Sequence, residues 1–125
     1  MRILLVNDDR DEVGLFGEAL RRVDSSIVFD VANDGVDALR FLRENSDQKP
    51  NLIVIDENGF LFLEKIRTDI DFASIPVAVY TTSTSPDDID RTLASGASFL
   101  PKPTSYKGLV LVLRKKIQRL ILQEE

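Results

Sequence analysis

Three hydrophobic runs in this chain each end on polar side chains that could do chemistry. The runs span 3–6, 52–55 and 77–80, and a fourth segment, 99–101, directly precedes a lysine. Parallel strands of an open α/β sheet expose their carboxyl ends on one edge, where ligands bind. If all four segments are such strands, five side chains meet at that edge, namely Asp8, Asp9, Asp56, Thr81 and Lys102.

The acidic members of this set point to a divalent cation. Carboxylates held close together repel one another, and a bound cation relieves that cost. Mg²⁺ prefers oxygen ligands and needs few protein carboxylates. A carboxylate beside a metal ion can accept a phosphoryl group, with Asp56 as nucleophile and with Lys102 and Thr81 stabilising the transferred charge. Taken alone, each of these residues is better explained as a helix cap, a strand residue or a solvated lysine. Their joint placement at the strand ends favours a functional site instead.

Composition excludes several classes of function. The chain has 125 residues, enough to bury the core of one ordinary domain. Its 16 basic and 21 acidic residues give a net charge of −5, which argues against nucleic acid as a partner. The absence of cysteine and histidine excludes disulfides, thiolate chemistry and a Ser-His-Asp triad. Without a long apolar run or a signal-peptide pattern, we expect a cytoplasmic protein that does not bind membranes.

Strand and helix patterns alternate along the whole chain. We expect strands at 2–7, 27–31, 52–56, 77–81 and near 99, and helices at 11–23, 36–45, 60–70, 86–95 and 105–122. The apolar stripe of the third helix includes Leu63, Ile66 and Ile70. Five strands alternating with five helices imply a parallel sheet covered on both faces. With no linker or repeat in view, we expect one domain over 1–125 and no output domain.

Seven segments, in this order and spacing, resemble the receiver domain of two-component response regulators. They are ILLVNDD at 3–9, ANDGVDAL at 32–39, LIVID at 52–56, GFLFLEKIR at 59–67, PVAVYTTS at 76–83, GAS at 96–98 and FLPKP at 99–103. The likeness covers nearly the whole chain and is to stand-alone receivers of the chemotaxis-regulator type, and the composition of 2–42 also resembles that of phytochrome-associated receivers. It implies a flavodoxin-like, doubly wound α/β fold with a five-stranded parallel sheet of order 2-1-3-4-5.

The resemblance also implies a Mg²⁺ site around a phosphorylated aspartate. Asp56 fits the phosphorylated residue, Asp8 the direct metal ligand, and Asn58 the position whose backbone carbonyl binds the metal. The family usually has two acids after the first strand, and Asn7 stands where the outer one is expected. Asp9 lies one residue further on and could compensate as a secondary ligand.

By the same resemblance, three further residues form a switch. Thr81 fits the hydroxyl that moves toward the phosphoryl group, Lys102 the lysine that pairs with it, and Phe99 the aromatic whose rotamer follows activation. The implied partners are a sensor histidine kinase or phosphotransfer protein and a downstream target protein. The only implied chemistry is the domain's own phosphoryl transfer and autodephosphorylation. A docking or homodimer surface is expected on 86–122, where Leu111 and Leu122 fall outside the core stripe.

Two loops are shorter than the family pattern. Gly59 follows Asp56 by only three residues, and the stretch from Gly96 to Lys102 is one residue short. Either the loops are truly shortened or the sequence as read lacks residues. We favour the second explanation because loops at this edge are often mobile. True shortening would put metal binding in doubt.

Two alternatives remain open. A pseudo-receiver would keep the fold and bind partners without phosphorylation. Asn7 and the short loop favour it, while retention of four residues argues against it, namely Asp8, Asp56, Thr81 and Lys102. A flavodoxin-like ligand carrier would need a phosphate-binding loop after the first strand. The segment 7–10, Asn-Asp-Asp-Arg, has the wrong charge for binding an anion.

Overall fold

Five parallel strands form the middle layer of the fold, in the order β2-β1-β3-β4-β5. The computed structural model describes residues 1–122. The strands are β1 (Arg2–Val6), β2 (Val28–Ala32), β3 (Leu52–Ile55), β4 (Val77–Thr81) and β5 (Ser98–Pro101). The helices are α1 (Arg10–Val23), α2 (Gly35–Glu44), α3 (Phe60–Arg67), α4 (Pro86–Ala94) and α5 (Tyr106–Ile121). The predicted fold class and strand order are confirmed.

The sheet separates two cores, and side chains of β1, β3 and β4 pack alternately into one and the other, because successive residues point to opposite faces of the sheet. Ile3 and Leu5 pack in a cluster with residues of α1 and α5, whereas Leu4 and Val6 pack in one with residues of α2 and α3. Every residue of β3 and β4 is buried, which explains their continuous hydrophobic runs. We expected a sheet covered on both faces, but β2 is only partly covered, since two of its five residues are exposed.

Helix caps set the turns that leave the strands. Asp9 caps α1 and Asp34 caps α2, each accepting backbone N–H bonds on a side-chain oxygen. Pro86 begins α4, where its missing N–H is harmless, and Ser105 caps α5. Gly96 follows α4 with φ of 79°, a left-handed conformation that favours glycine. These boundaries agree with the sequence interpretation within a residue or two.

The third helix is shorter than predicted. It ends at Arg67, and Ile70 is 94% exposed rather than part of the core stripe. The turn beyond it is stabilised locally, because the Asp69 carboxylate accepts the N–H of Asp71. The Arg67 guanidinium joins the segment before β4 to the turn before β5 by donating to three carbonyls, those of Ala73, Ile75 and Gly96.

A 3₁₀ turn (Glu57–Gly59) joins β3 to α3 without further residues. Asp56 caps this turn by accepting the N–H of Asn58 at 3.0 Å. A Cβ on Gly59 would lie 2.8 Å from the Cβ of Ile55, so the turn can lie this close to the strand only with glycine. The connection closes with the residues present. Our expectation that residues are missing from this loop remains a prediction that the structure does not require.

Candidate functional site

The carboxyl ends of four strands place the predicted site residues along one edge of the sheet. Val6 lies beside Ile55 and Ile55 beside Val79, which brings together the segments that follow β1, β3 and β4. Lys102 joins them, because its backbone N–H donates to the carbonyl of Thr81 at 2.9 Å. The topology thus groups the residues as the sequence predicted.

Asp56 is the half-buried acid of this edge. Burial raises the pKa of its carboxyl, and the nearby charges of Glu57 and Asp8 raise it further. The N–H of Asn58 and the charge of Lys102 act in the opposite direction and only partly compensate. The ionised form of Asp56 is therefore under strain from desolvation and like charge, which a bound cation would relieve.

Asp8 and Asp9 differ in the freedom of their carboxylates, although both side chains are exposed. Asp9 Oδ1 caps α1, accepting the N–H groups of Asp11 and Glu12 at 3.1 and 3.2 Å. Within residues 1–122, no three acidic side chains converge on one point as a preformed metal cage. Two carboxylates and a backbone carbonyl still suit Mg²⁺, which binds through one or two carboxylates and keeps several waters. Asp8, Asp56 and Asn58 are therefore the residues that could hold such an ion, and Asp9 could add a further oxygen.

Glu12 belongs to this site, and the sequence interpretation missed it. Its carboxylate receives the Lys102 ammonium at 2.9 Å on Oε1 and 3.1 Å on Oε2. The buried Asn7 side chain donates from Nδ2 to the same Oε1 at 2.7 Å. The sequence signal was slight: an acid in the first turn of α1 is common simply because it favours the helix dipole.

Tyr80 and Thr81 line opposite faces at the end of β4, as adjacent strand residues do. The Lys102 ammonium lies 5.1 Å from the centre of the Tyr80 ring. Burial, and then the charge of Glu12, raises the pKa of Tyr80 to about 12. Thr81 is buried, and its Oγ1 accepts the N–H of Ser83 at 3.1 Å. Its hydroxyl hydrogen remains able to donate to a ligand oxygen.

A cleft of about 330 Å³ opens beside Thr81 and is bordered by α4. Arg91 stacks on the Phe60 ring at 4.1 Å along one wall of this cleft. Phe99, the predicted switch aromatic, is half-buried on β5 beside Val79. The structure therefore gives room next to Thr81 for side-chain movement at the edge of the sheet.

Comparison with known proteins decides the family. Residues 3–114 match the response regulator receiver domain. The chain belongs to this family of two-component signalling proteins. The resemblance drawn from the sequence motifs is thus confirmed. Receiver domains are generally signalling modules that support phosphorelays rather than enzymes. Among residues 1–122, no helix has the length and apolarity needed to span a membrane.

Curated relatives come from several signalling systems. The chain is 32% identical to the probable methanogenesis regulatory protein FilR2 of Methanothrix harundinacea, over 86% of this chain and 75% of that protein. It is 34% identical to the response regulator Rcp1 of Synechocystis, over 70% of this chain and 65% of Rcp1. It is 31% identical to the transcriptional regulatory protein CpxR of Escherichia coli, covering only 50% of CpxR. The chain thus spans about half to three quarters of these relatives.

Solved structures agree with the fold. The Mn²⁺-bound form of Rcp1 superposes with a TM-score of 0.79 at 29% identity, covering 98% of this chain and 94% of that one. The phosphorylated cyanobacterial phytochrome response regulator RcpA gives 0.83 at 25% identity, covering 99% and 96%. The chemotaxis regulator CheY4 of Vibrio cholerae gives 0.76 at 26% identity, covering 95% and 97%.

Proposed function

We propose that this receiver domain is a switch controlled by Mg²⁺-dependent phosphorylation of Asp56. The phosphoryl group would come from a sensor histidine kinase or a phosphotransfer protein. The observation that carries the proposal is the setting of Asp56: half-buried at the end of β3, close enough to Asp8 and Lys102 for both charges to act on its pKa. Phosphoryl transfer needs an in-line acceptor and neutralisation of charge on the transferred group, and little other chemistry from the protein.

Four positions would hold the metal ion. Asp8 and Asp56 would supply carboxylate oxygens and Asn58 its backbone carbonyl, with Asp9 as a secondary donor because its Oδ1 already caps α1. When bound, Mg²⁺ neutralises negative charge on the acceptor and on the phosphoryl oxygens. The neighbour Rcp1 has been solved in a Mn²⁺-bound form, which supports a divalent cation here.

Thr81 and Lys102 would hold the phosphoryl oxygens once Asp56 is modified. The phosphoryl group adds negative charge and new acceptor oxygens, so the Thr81 hydroxyl gains a partner to donate to and the Lys102 ammonium an anion to pair with. Movement of Thr81 would allow Phe99 to turn inward from its half-buried position. A local change in charge then reaches the surface formed by α4, β5 and α5.

Intact-mass measurement tests the acceptor. Incubation with acetyl phosphate and Mg²⁺ should add one phosphoryl group to the wild type and none to Asp56→Asn. Asp47→Asn, which changes an exposed carboxylate in the loop before β3 and away from the carboxyl ends of the strands, is the matched control and should be modified as the wild type is. Phosphate incorporation that survives Asp56→Asn would refute the assignment.

Titration with Mg²⁺ tests the metal ligands. Asp8→Ala should weaken binding more than Asp9→Ala, because Asp9 is partly committed to the helix cap. Asp47→Ala again serves as the control for loss of one surface charge. Unchanged affinity in Asp8→Ala would contradict the proposed ligand set.

The output is proposed to run through residues 86–122 to a downstream target protein or a second copy of the chain. Three leucines of this face are substantially exposed: Leu93 at 51%, Leu111 at 46% and Leu122 at 63%. Light scattering and a pull-down with and without beryllofluoride should reveal a change in association. Identical behaviour with Mg²⁺ bound and Asp56 occupied by beryllofluoride would favour the pseudo-receiver, which the amide at Asn7 also supports.

A further inference from the structure

Lys102 is already paired in this structure, and its partner is not the proposed phosphoacceptor. Both carboxylate oxygens of Glu12 lie within 3.1 Å of the Lys102 ammonium. The Glu12 side chain is 26% exposed and the Lys102 side chain 17% exposed. Among residues 1–122, the ion pairs include none between Lys102 and Asp56. Lys102 thus acts on Asp56 only as a nearby charge.

Asn7 fixes the Glu12 carboxylate in this position. Its Nδ2 donates to Glu12 Oε1 at 2.7 Å, while its Oδ1 accepts the N–H of Asp9 at 2.8 Å. Asn7 is 5% exposed, so water competes little with these bonds. An aspartate here would have no donor for Glu12 and would place a second negative charge against it. The position of the Glu12 carboxylate therefore depends on an amide, rather than an acid, at residue 7.

We infer that Glu12 is a positioning residue that holds Lys102 and competes with the phosphoryl oxygens on Asp56 for it. This inference rests on the proposed function. Formation of the phosphorylated state exchanges one anionic partner of Lys102 for another, because a single ammonium cannot pair fully with both. Glu12 and Asn7 thereby set how readily the domain enters that state.

Beryllofluoride, a phosphoryl mimic, tests the competition. Its affinity is measured by calorimetry in saturating Mg²⁺ for the wild type and for Glu12→Gln, which keeps an acceptor for Asn7 but removes the charge. An ion pair of this exposure is worth about 1 kcal/mol, so Glu12→Gln should bind about fivefold more tightly. Glu18→Gln, an exposed acid on the same helix, should leave the affinity unchanged.

Unfolding by urea separates competition from a merely structural role. Loss of the ion pair should lower the stability of unliganded Glu12→Gln while its affinity for beryllofluoride rises. A variant damaged only in structure would lose stability and would also bind beryllofluoride more weakly. If Glu12→Gln fails to fold, Glu12→Asp replaces it: its shorter side chain should loosen the pair and tighten binding to a smaller extent.

The two proposals fail in different ways. Binding to the wild type with equal or weaker binding to the Glu12 variant overturns the competition alone and leaves Asp56 as the acceptor. No binding to the wild type, to Glu12→Gln or to Glu18→Gln overturns the proposed function and the competition with it.

Discussion

Asn7→Asp is the substitution whose outcome the structure defines most sharply. It is nearly isosteric, but it replaces an amide donor by a carboxylate facing Glu12 Oε1, which lies 2.7 Å from the present Nδ2. The hydrogen bond is lost and a like-charge contact takes its place. At the same time the variant restores the outer acid that the family usually has at this point, so it should bind Mg²⁺ more tightly than the wild type.

The size of the effect follows from two terms. A hydrogen bond to a charged group contributes about 1.5–3 kcal/mol. Two carboxylates relaxed to about 4 Å repel by about 1 kcal/mol in water and about 4 kcal/mol at an effective dielectric constant of about 20. Glu12 is one quarter exposed and Lys102 lies against it, so the repulsion falls toward the lower value. We expect metal-free Asn7→Asp to be destabilised by about 3 kcal/mol, roughly 10 °C in melting temperature.

Urea unfolding at neutral pH, with and without Mg²⁺, measures this effect. The loss of stability should be large without metal and should shrink as Mg²⁺ is added, because the ion screens the new pair of carboxylates. Asn33→Asp adds the same charge at an exposed position and should change stability little in either condition. Equal stability of Asn7→Asp and the wild type without metal would refute the reasoning about Asn7 and Glu12.

Three other substitutions have defined outcomes. Burial raises the pKa of Asp56, so the folded state favours its neutral carboxyl. The stability that this carboxyl contributes is full below the unfolded-state pKa and is lost as pH rises through the folded-state pKa. Asp56→Asn should therefore stabilise the metal-free protein at neutral pH and stabilise it less in acid, as measured by urea unfolding across pH. The pKa of Tyr80 is raised to about 12, so wild type should lose stability between about pH 10 and that value, and Tyr80→Phe should remove this loss in an alkaline unfolding series. Arg67→Met leaves three carbonyls without their donor and should cost about 2–3 kcal/mol in urea unfolding, whereas exposed Arg10→Met should be neutral.

Much of the fold could be predicted because its local signals agree with one another. The strands of the sheet centre are buried on both faces, so they appear as uninterrupted hydrophobic runs. Caps such as Asp34 and the left-handed Gly96 mark helix ends by their chemistry alone. Ile70 misled the interpretation because it continues the periodicity of α3. The side-chain turn at Asp69 and the three bonds from Arg67 end the helix instead.

The sequence could predict only those site residues that lie at the carboxyl ends of strands. Placement of Asp8, Asp56, Thr81 and Lys102 at one edge follows from parallel topology. The partner of Lys102 does not follow, because Glu12 lies 90 positions away in the chain and on a helix rather than a strand end. A contact of that kind depends on how α1 is seated against the sheet, which no local pattern specifies.

β2 has a consequence for the behaviour of the protein in concentrated solution. It is an outer strand of the sheet, and Val28 and Val31 are each 42% exposed. The backbone groups along such a border can hydrogen-bond to a strand of another molecule, which is how many soluble proteins begin to aggregate. Asp30, paired with Arg2 at 3.3 Å, places charge in the middle of this border. A second molecule approaching there would have to strip water from that pair, so Asp30 and Arg2 should disfavour strand pairing between molecules at this border.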